Sequence, residues 1–155
     1  MKNNYEIAQY TLEALKKAGA DHAHCIVYTS KKDELNVDGG KFSLMRSTFD
    51  TSISMKALKD SKKGVIEINQ ADKAAIDKAA AECIAAAESS VADEAEEISP
   101  FIPEAKYKSG VFEPDKDKLF DRIEEFLQQT SDEYPKIILE QLISNFEHSE
   151  KIYMN

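Results

Sequence analysis

The sequence predicts an α+β fold, an antiparallel sheet of about five strands with helices packed on one face. Three observations predict it. Apolar residues spaced three and four apart near the amino terminus give way to strict alternation between His22 and Ile68. Asp38-Gly39-Gly40 sits between two alternating runs, which is the mark of a hairpin. An alanine-rich helical segment follows the last of these strands, and its small side chains suit close packing across a sheet.

Asn3 or Asn4 caps a first helix that runs to about Ala18. Tyr5, Ala8, Leu12 and Leu15 form its apolar face. Lys16 and Lys17 suit the negative end of the helix dipole, and Gly19 supplies a left-handed cap. In the first strand Ala23, Cys25, Val27 and Thr29 share one face, while His22, His24, Ile26 and Tyr28 share the other. Leu35 and Val37 alternate with Glu34 and Asn36 in a second strand, and the chain returns after the turn through Phe42, Leu44 and Arg46. Ile53, Met55 and Ala57 alternate with Ser52, Ser54 and Lys56 in a fourth. A turn over residues 59–64 leads into a fifth, residues 65–68.

Residues 71–90 form a second helix, with Ile76, Ala80, Cys83 and Ala87 on one face. Residues 91–114 change character: Asp93, Glu94, Glu96 and Glu97 are followed by Pro100, Pro103 and Pro114. They read as an extended linker whose acidic run is solvated. Residues 115–130 make a third helix with Leu119, Ile123, Phe126 and Leu127 on one stripe, and with Asp115 and Asp117 at its positive end. Beyond Pro135, residues 137–146 fit a helix or a strand, and residues 151–155 read as a strand that stops abruptly. The expected organisation is a helix–meander–helix domain over 1–90, the acidic, proline-bearing linker over 91–114, and the start of a second unit over 115–155. A terminal strand with an unpaired edge invites self-association.

Composition narrows the function classes. The chain has 155 residues, 42% hydrophobic and 32% charged, as in a globular domain. No apolar run approaches the roughly 20 residues that span a bilayer, and the amino terminus lacks the apolar core of a secretory signal. Cys25 and Cys83 are too few for a disulfide framework and fit a reducing cytoplasm. A net charge of −9 argues against direct contact with nucleic acid, whose phosphates are bound by Lys and Arg. The short cluster Lys59, Lys62 and Lys63 falls in a turn. A protein partner is the better expectation.

Residues 17–36 read Lys-Ala-Gly-Ala-Asp-His-Ala-His-Cys-Ile-Val-Tyr-Thr-Ser-Lys-Lys-Asp-Glu-Leu-Asn: a helix end, an apolar strand, then Asp-Glu-Leu opening another strand. Further blocks follow in order: Lys63-Gly64-Val65, the alanine-rich helix, Lys108-Ser109-Gly110-Val111-Phe112-Glu113-Pro114-Asp115, Tyr134-Pro135-Lys136-Ile137, and the closing residues 151–155. Each block is weak alone, but together they resemble the TldD/PmbA family, whose members are often labelled modulators of DNA gyrase and implicated in metal-dependent proteolysis. Where that family often has Gly and Arg in the fourth strand, this chain has Asp50-Thr51-Ser52-Ile53-Ser54-Met55-Lys56, which favours a PmbA-like (TldE-like) member.

The resemblance implies the amino-terminal domain of a longer protein, so the chain is expected to be truncated. It implies a non-catalytic part of a two-subunit, metal-dependent protease that acts on peptides or unfolded proteins. The partner would be a TldD-like subunit or a second copy. The alternative is a stand-alone adaptor regulating a gyrase- or toxin-related protein.

The family's metal motif is His-Glu-x-x-x-His, which places two imidazoles on one helical face with a carboxylate to activate bound water. None of His22, His24 and His148 begins such a motif. No catalytic, cofactor-binding or metal residue is therefore assigned, and zinc is expected only in the catalytic subunit. His22 and His24 share a strand face, but Cys25 points away from it. Cys25 and Cys83 read as small core residues. Gly39-Gly40 lacks the Lys-Ser/Thr of a phosphate loop. Phe42, Leu44, Met45, Phe49 and Met55 read as core beneath the helices, or else as a partner surface.

Overall fold

The computed structural model describes residues 3–100 and 103–155, so residues 101 and 102 of the expected linker lie outside the description. The order of elements is α1 (Asn4–Ala18), β1 (His22–Asp38), β2 (Lys41–Lys59), β3 (Lys62–Ile68), α2 (Lys73–Ser89), α3 (Lys116–Glu133) and β4 (Gln141–Met154). The strands form one antiparallel sheet in the order β3-β2-β1-β4, and the expected α+β class holds. The five expected strands become three because those on either side of residues 30 and 50 are continuous, giving a 17-residue β1 and a 19-residue β2, and β4 makes the fourth. The ambiguous segment beyond Pro135 resolves as β4, which begins at Gln141 and absorbs the closing strand.

Local chemistry explains the helix ends. The Asn3 side chain accepts from the Glu6 N–H at 2.8 Å, and Gly19 takes φ 109° as the left-handed cap of α1. Asp72 and Asp115 cap α2 and α3 by accepting from the N–H groups of Ala75 and Lys118, each at 3.0 Å. Both hairpin turns have positive φ at their two central residues, the geometry that matches strand twist. Gly39 and Gly40 adopt it freely, whereas Asp60 and Ser61 do so as non-glycine residues, at φ 49° and 57°. The Asp21 carboxylate accepts the Asp60 N–H at 2.8 Å and helps hold that second turn.

Contacts group the chain into two compact units. The first comprises Met1–Ser30, Asp50–Lys106 and Ser149–Asn155; the second comprises Lys31–Phe49 and Tyr107–His148. In the first unit, α1 and α2 cover one face of the sheet. Ala23, Cys25 and Val27 of β1 and Ile53, Met55 and Ala57 of β2 are buried beneath Ala8, Leu12 and Leu15 of α1 and Ile76, Ala80 and Cys83 of α2. Tyr5 does not belong to this core. It is 59% exposed, and Ile7 and Thr11 are buried on α1 instead. The Tyr10 hydroxyl donates to the Asp77 carboxylate at 3.0 Å and joins the two helices. No helix among the described residues is long and apolar enough to cross a membrane.

Candidate interaction surface

In the first unit the chemistry-bearing residues are absorbed by structure. Cys25 is fully buried and its thiol donates to the Ala8 carbonyl at 3.4 Å; burial pushes it up to about 12. Cys83 is also fully buried, and burial raises it too. Both are the core residues expected. His24 is half-buried, and burial followed by the nearby Lys56 charge lowers its pKa, so its neutral form is favoured. His22 is exposed on the same strand. Among the described residues no three His, Cys, Asp or Glu side chains gather as metal ligands, so the residues present do not fit a zinc site.

The lysine cluster flanks the second turn, and each ammonium has an acceptor. Lys59 pairs with Glu88, Lys62 donates to the Glu88 carbonyl at 3.2 Å near the end of α2, and Lys63 pairs with Glu96. Glu96 also pairs with Lys56 at 2.8 Å. The acidic run is thus solvated only in part. Asp93 and Glu94 are exposed, but Glu96 is pinned between two strands, and the Asp93 N–H donates to the Ser61 carbonyl at 2.8 Å. Ala92 bridges to Lys62, so this segment lies along the start of β3.

The second unit is built differently. Phe42 of β2 stacks on Phe120 of α3 with ring centroids 4.2 Å apart, and Phe112 meets His148 edge to face at 4.4 Å. Asp33 accepts from Ser47 and from Lys116 (3.0 Å), and these donors hold its carboxyl below the usual range. Its neighbour Glu34 is nearly buried among Lys32 (3.2 Å), Arg46 (3.1 Å) and Asn36 (3.1 Å), and Lys32 is the largest cause of its lowered pKa. Asn36 Oδ1, close by, is buried without a hydrogen-bond partner. Asp33 entered the sequence analysis only as part of the Asp-Glu-Leu block, and Lys116 and Phe120 carried no expectation. The one available signal was the charged run Lys31-Lys32-Asp33-Glu34 inside an otherwise strand-like stretch.

Apolar cover is sparse in this unit. Only Ile123 of α3 is buried; Phe120 and Phe126 remain exposed to 39% and 45%. The expectation for the Phe/Met set therefore divides. Met55 is core in the first unit, Phe42 is half-buried, and Leu44, Met45 and Phe49 are exposed to 39%, 70% and 73%. Residues 43–50 are all exposed, so this part of β2 is covered on neither face. Leu44, Met45 and Phe49 are the candidate interaction surface of this unit.

The same fold occurs in TldE from Thermococcus kodakarensis, with a TM-score of 0.80 and 14% identity over 96% of this chain and 34% of that one. It occurs in a proposed modulator of DNA gyrase from Bacteroides thetaiotaomicron, with a TM-score of 0.70 and 16% identity over 99% and 37% of the two chains. A proposed modulator of a DNA gyrase from Thermotoga maritima matches with a TM-score of 0.56 and 12% identity over 97% and 38%. This chain spans about a third of the length of these structures. The structural match to the TldD/PmbA family thus stands at the level of the fold. No protein-family profile and no curated protein matches the sequence.

Proposed function

We propose that this chain is a non-catalytic portion of a TldE-like protein, working in the cytoplasm within a two-subunit, metal-dependent protease assembly that acts on peptides or unfolded proteins. The observation that carries the reading is the fold shared with TldE over 96% of this chain. Zinc would belong to the TldD-like subunit, with its His-Glu-x-x-x-His motif. The second unit exposes enough apolar surface to engage another polypeptide. The test is co-expression of the protein carrying this chain with a TldD-type subunit. The reading expects zinc-dependent peptide cleavage that needs both polypeptides, and no cleavage by this chain alone with zinc present. Cleavage by the isolated chain would overturn it.

A second reading follows from the gyrase descriptions of two matching structures: an adaptor whose acidic charge suits a basic partner. It expects binding to a gyrase- or toxin-related protein with no effect on peptide cleavage by a TldD-type subunit.

A further inference from the structure

Strand β2 runs over Lys41–Lys59, but β3 pairs only with its last part, from Ile53↔Ile68 to Lys59↔Lys62. On that side, residues 41–52 face no strand among the described residues. Their outward N–H and C=O groups form an open edge, which proteins ordinarily blunt with charge, proline or a covering segment. The outer edge of β3 is blunted in this way. It carries Lys62, Lys63 and Glu67, and Ala92 bridges to its first residue. Residues 41–49 have no proline and, among the described residues, no covering strand, and they expose Leu44, Met45 and Phe49.

We propose that the β2 edge over residues 41–49 binds an extended, acidic segment of a partner polypeptide by strand addition. The unpaired main chain requires an extended backbone, because only another strand satisfies alternating donors and acceptors along its length. The exposed Leu44, Met45 and Phe49 offer apolar contacts to that strand's side chains. Charge selects its character. The only charged residues in this stretch are Lys41 and Arg46, both exposed and both positive, in a chain of net charge −9. Arg46 holds Glu34, while Lys41 has no ion pair among the described residues. A second copy of this chain is a poor occupant. Antiparallel pairing of two identical edges over residues 41–49 sets Arg46 diagonally beside its own counterpart, between bodies that already repel. The proposal does not depend on the protease reading.

The test uses fluorescein-labelled peptides and the whole chain. One probe alternates Val and Glu, a second alternates Val and Lys, and a third is the Val-Glu peptide N-methylated at alternate amides. The proposal expects the Val-Glu probe to bind about tenfold more tightly than the Val-Lys probe. N-methylation abolishes binding, amide resonances of residues 41–49 shift on titration, and Lys41→Glu inverts the preference between the charged probes. Absence of binding would overturn the proposal, as would equal affinity for both charged probes or indifference to N-methylation. Concentration-dependent dimerisation that protects the amides of residues 41–49 would make a second copy the occupant and overturn it as well.

Discussion

A side chain at Gly64 would run into the backbone of Cys83. A Cβ built there meets the Cys83 carbonyl oxygen at 2.0 Å and the Ala87 nitrogen at 2.9 Å. β3 and α2 approach this closely because α2 presents Ala79, Ala80, Cys83 and Ala87, small residues that leave its backbone bare toward the strand. Neither obstructing atom can swing aside, since both are helix main chain.

Gly64→Ala is therefore expected to force α2 away from β3 and to destabilise the first unit by about 3 kcal/mol, the upper part of the overpacking range. Gly19→Ala provides the contrast. The nearest atom to its Cβ would be the mobile Lys59 Nζ at 3.8 Å, so the cost is the left-handed backbone alone, about 1 kcal/mol. Urea unfolding of both variants measures the difference. Equal midpoints would show that the strand and helix are not in such contact.

Why was this packing readable, and the rest not? The alanine-rich periodicity of α2 and the Lys63-Gly64-Val65 step are imprints of a buried interface. So is the alternation Ile53, Met55, Ala57. The continuity of β2 left no such imprint. Ser47-Thr48-Phe49-Asp50 lies where neither face of the strand is covered, so no core imposes a period of two. β4 was obscured in a similar way, because its half-buried positions include Ser144 and His148 while Ile143 is exposed. The ion pair of Asp33 with Lys116 joins residues far apart in the chain, and no local pattern announces such a meeting.

Cys25 gives a prediction in alkali. Its thiol is raised from an ordinary 9.0 to about 12 in the fold by burial. A group raised in the folded state stabilises fully below its unfolded value and loses that contribution as pH climbs toward the folded one. Stability should fall between pH 9 and 12, with a slope of about 1.4 kcal/mol per pH unit from this group. Cys25→Ala should show a flatter decline over the same window. In the native state at pH 8 neither cysteine should react with Ellman's reagent, whereas both should react in denaturant. Rapid native labelling would contradict the burial of the two thiols.

Glu96 holds the segment after α2 to the sheet through Lys56 and Lys63, and hydrogen bonds from these lysines lower its carboxyl pKa, Lys56 first. A lowered carboxylate stabilises above its unfolded pKa, ordinarily 4.5, and that contribution is lost as pH falls through the folded value. Acidification below the ordinary carboxylate range should free this strap before the core unfolds. Glu96→Gln should do the same at neutral pH, raising protease cleavage between Ala92 and Ser99 severalfold. An unchanged cleavage rate would show that the ion pairs do not hold the segment.

In the second unit the Phe42–Phe120 stack and the Asp33–Lys116 pair tie α3 to the strands. Phe120→Ala should lower protection of the α3 amides by about 1–2 kcal/mol, the size of an aromatic pair plus partial burial. Asp33→Asn should cost less, since Lys116 is 40% exposed and solvent screens it. Hydrogen exchange across Lys116–Glu133 reads both variants. A larger loss for Asp33→Asn than for Phe120→Ala would reverse this ranking.

The proposed assembly is tested most directly by size-exclusion chromatography with light scattering on the co-expressed protein and a TldD-type subunit. The account predicts one peak containing both polypeptides, with zinc carried by the TldD-type subunit. Separate peaks at micromolar concentration, with full peptide cleavage in the TldD-type fraction alone, would contradict it.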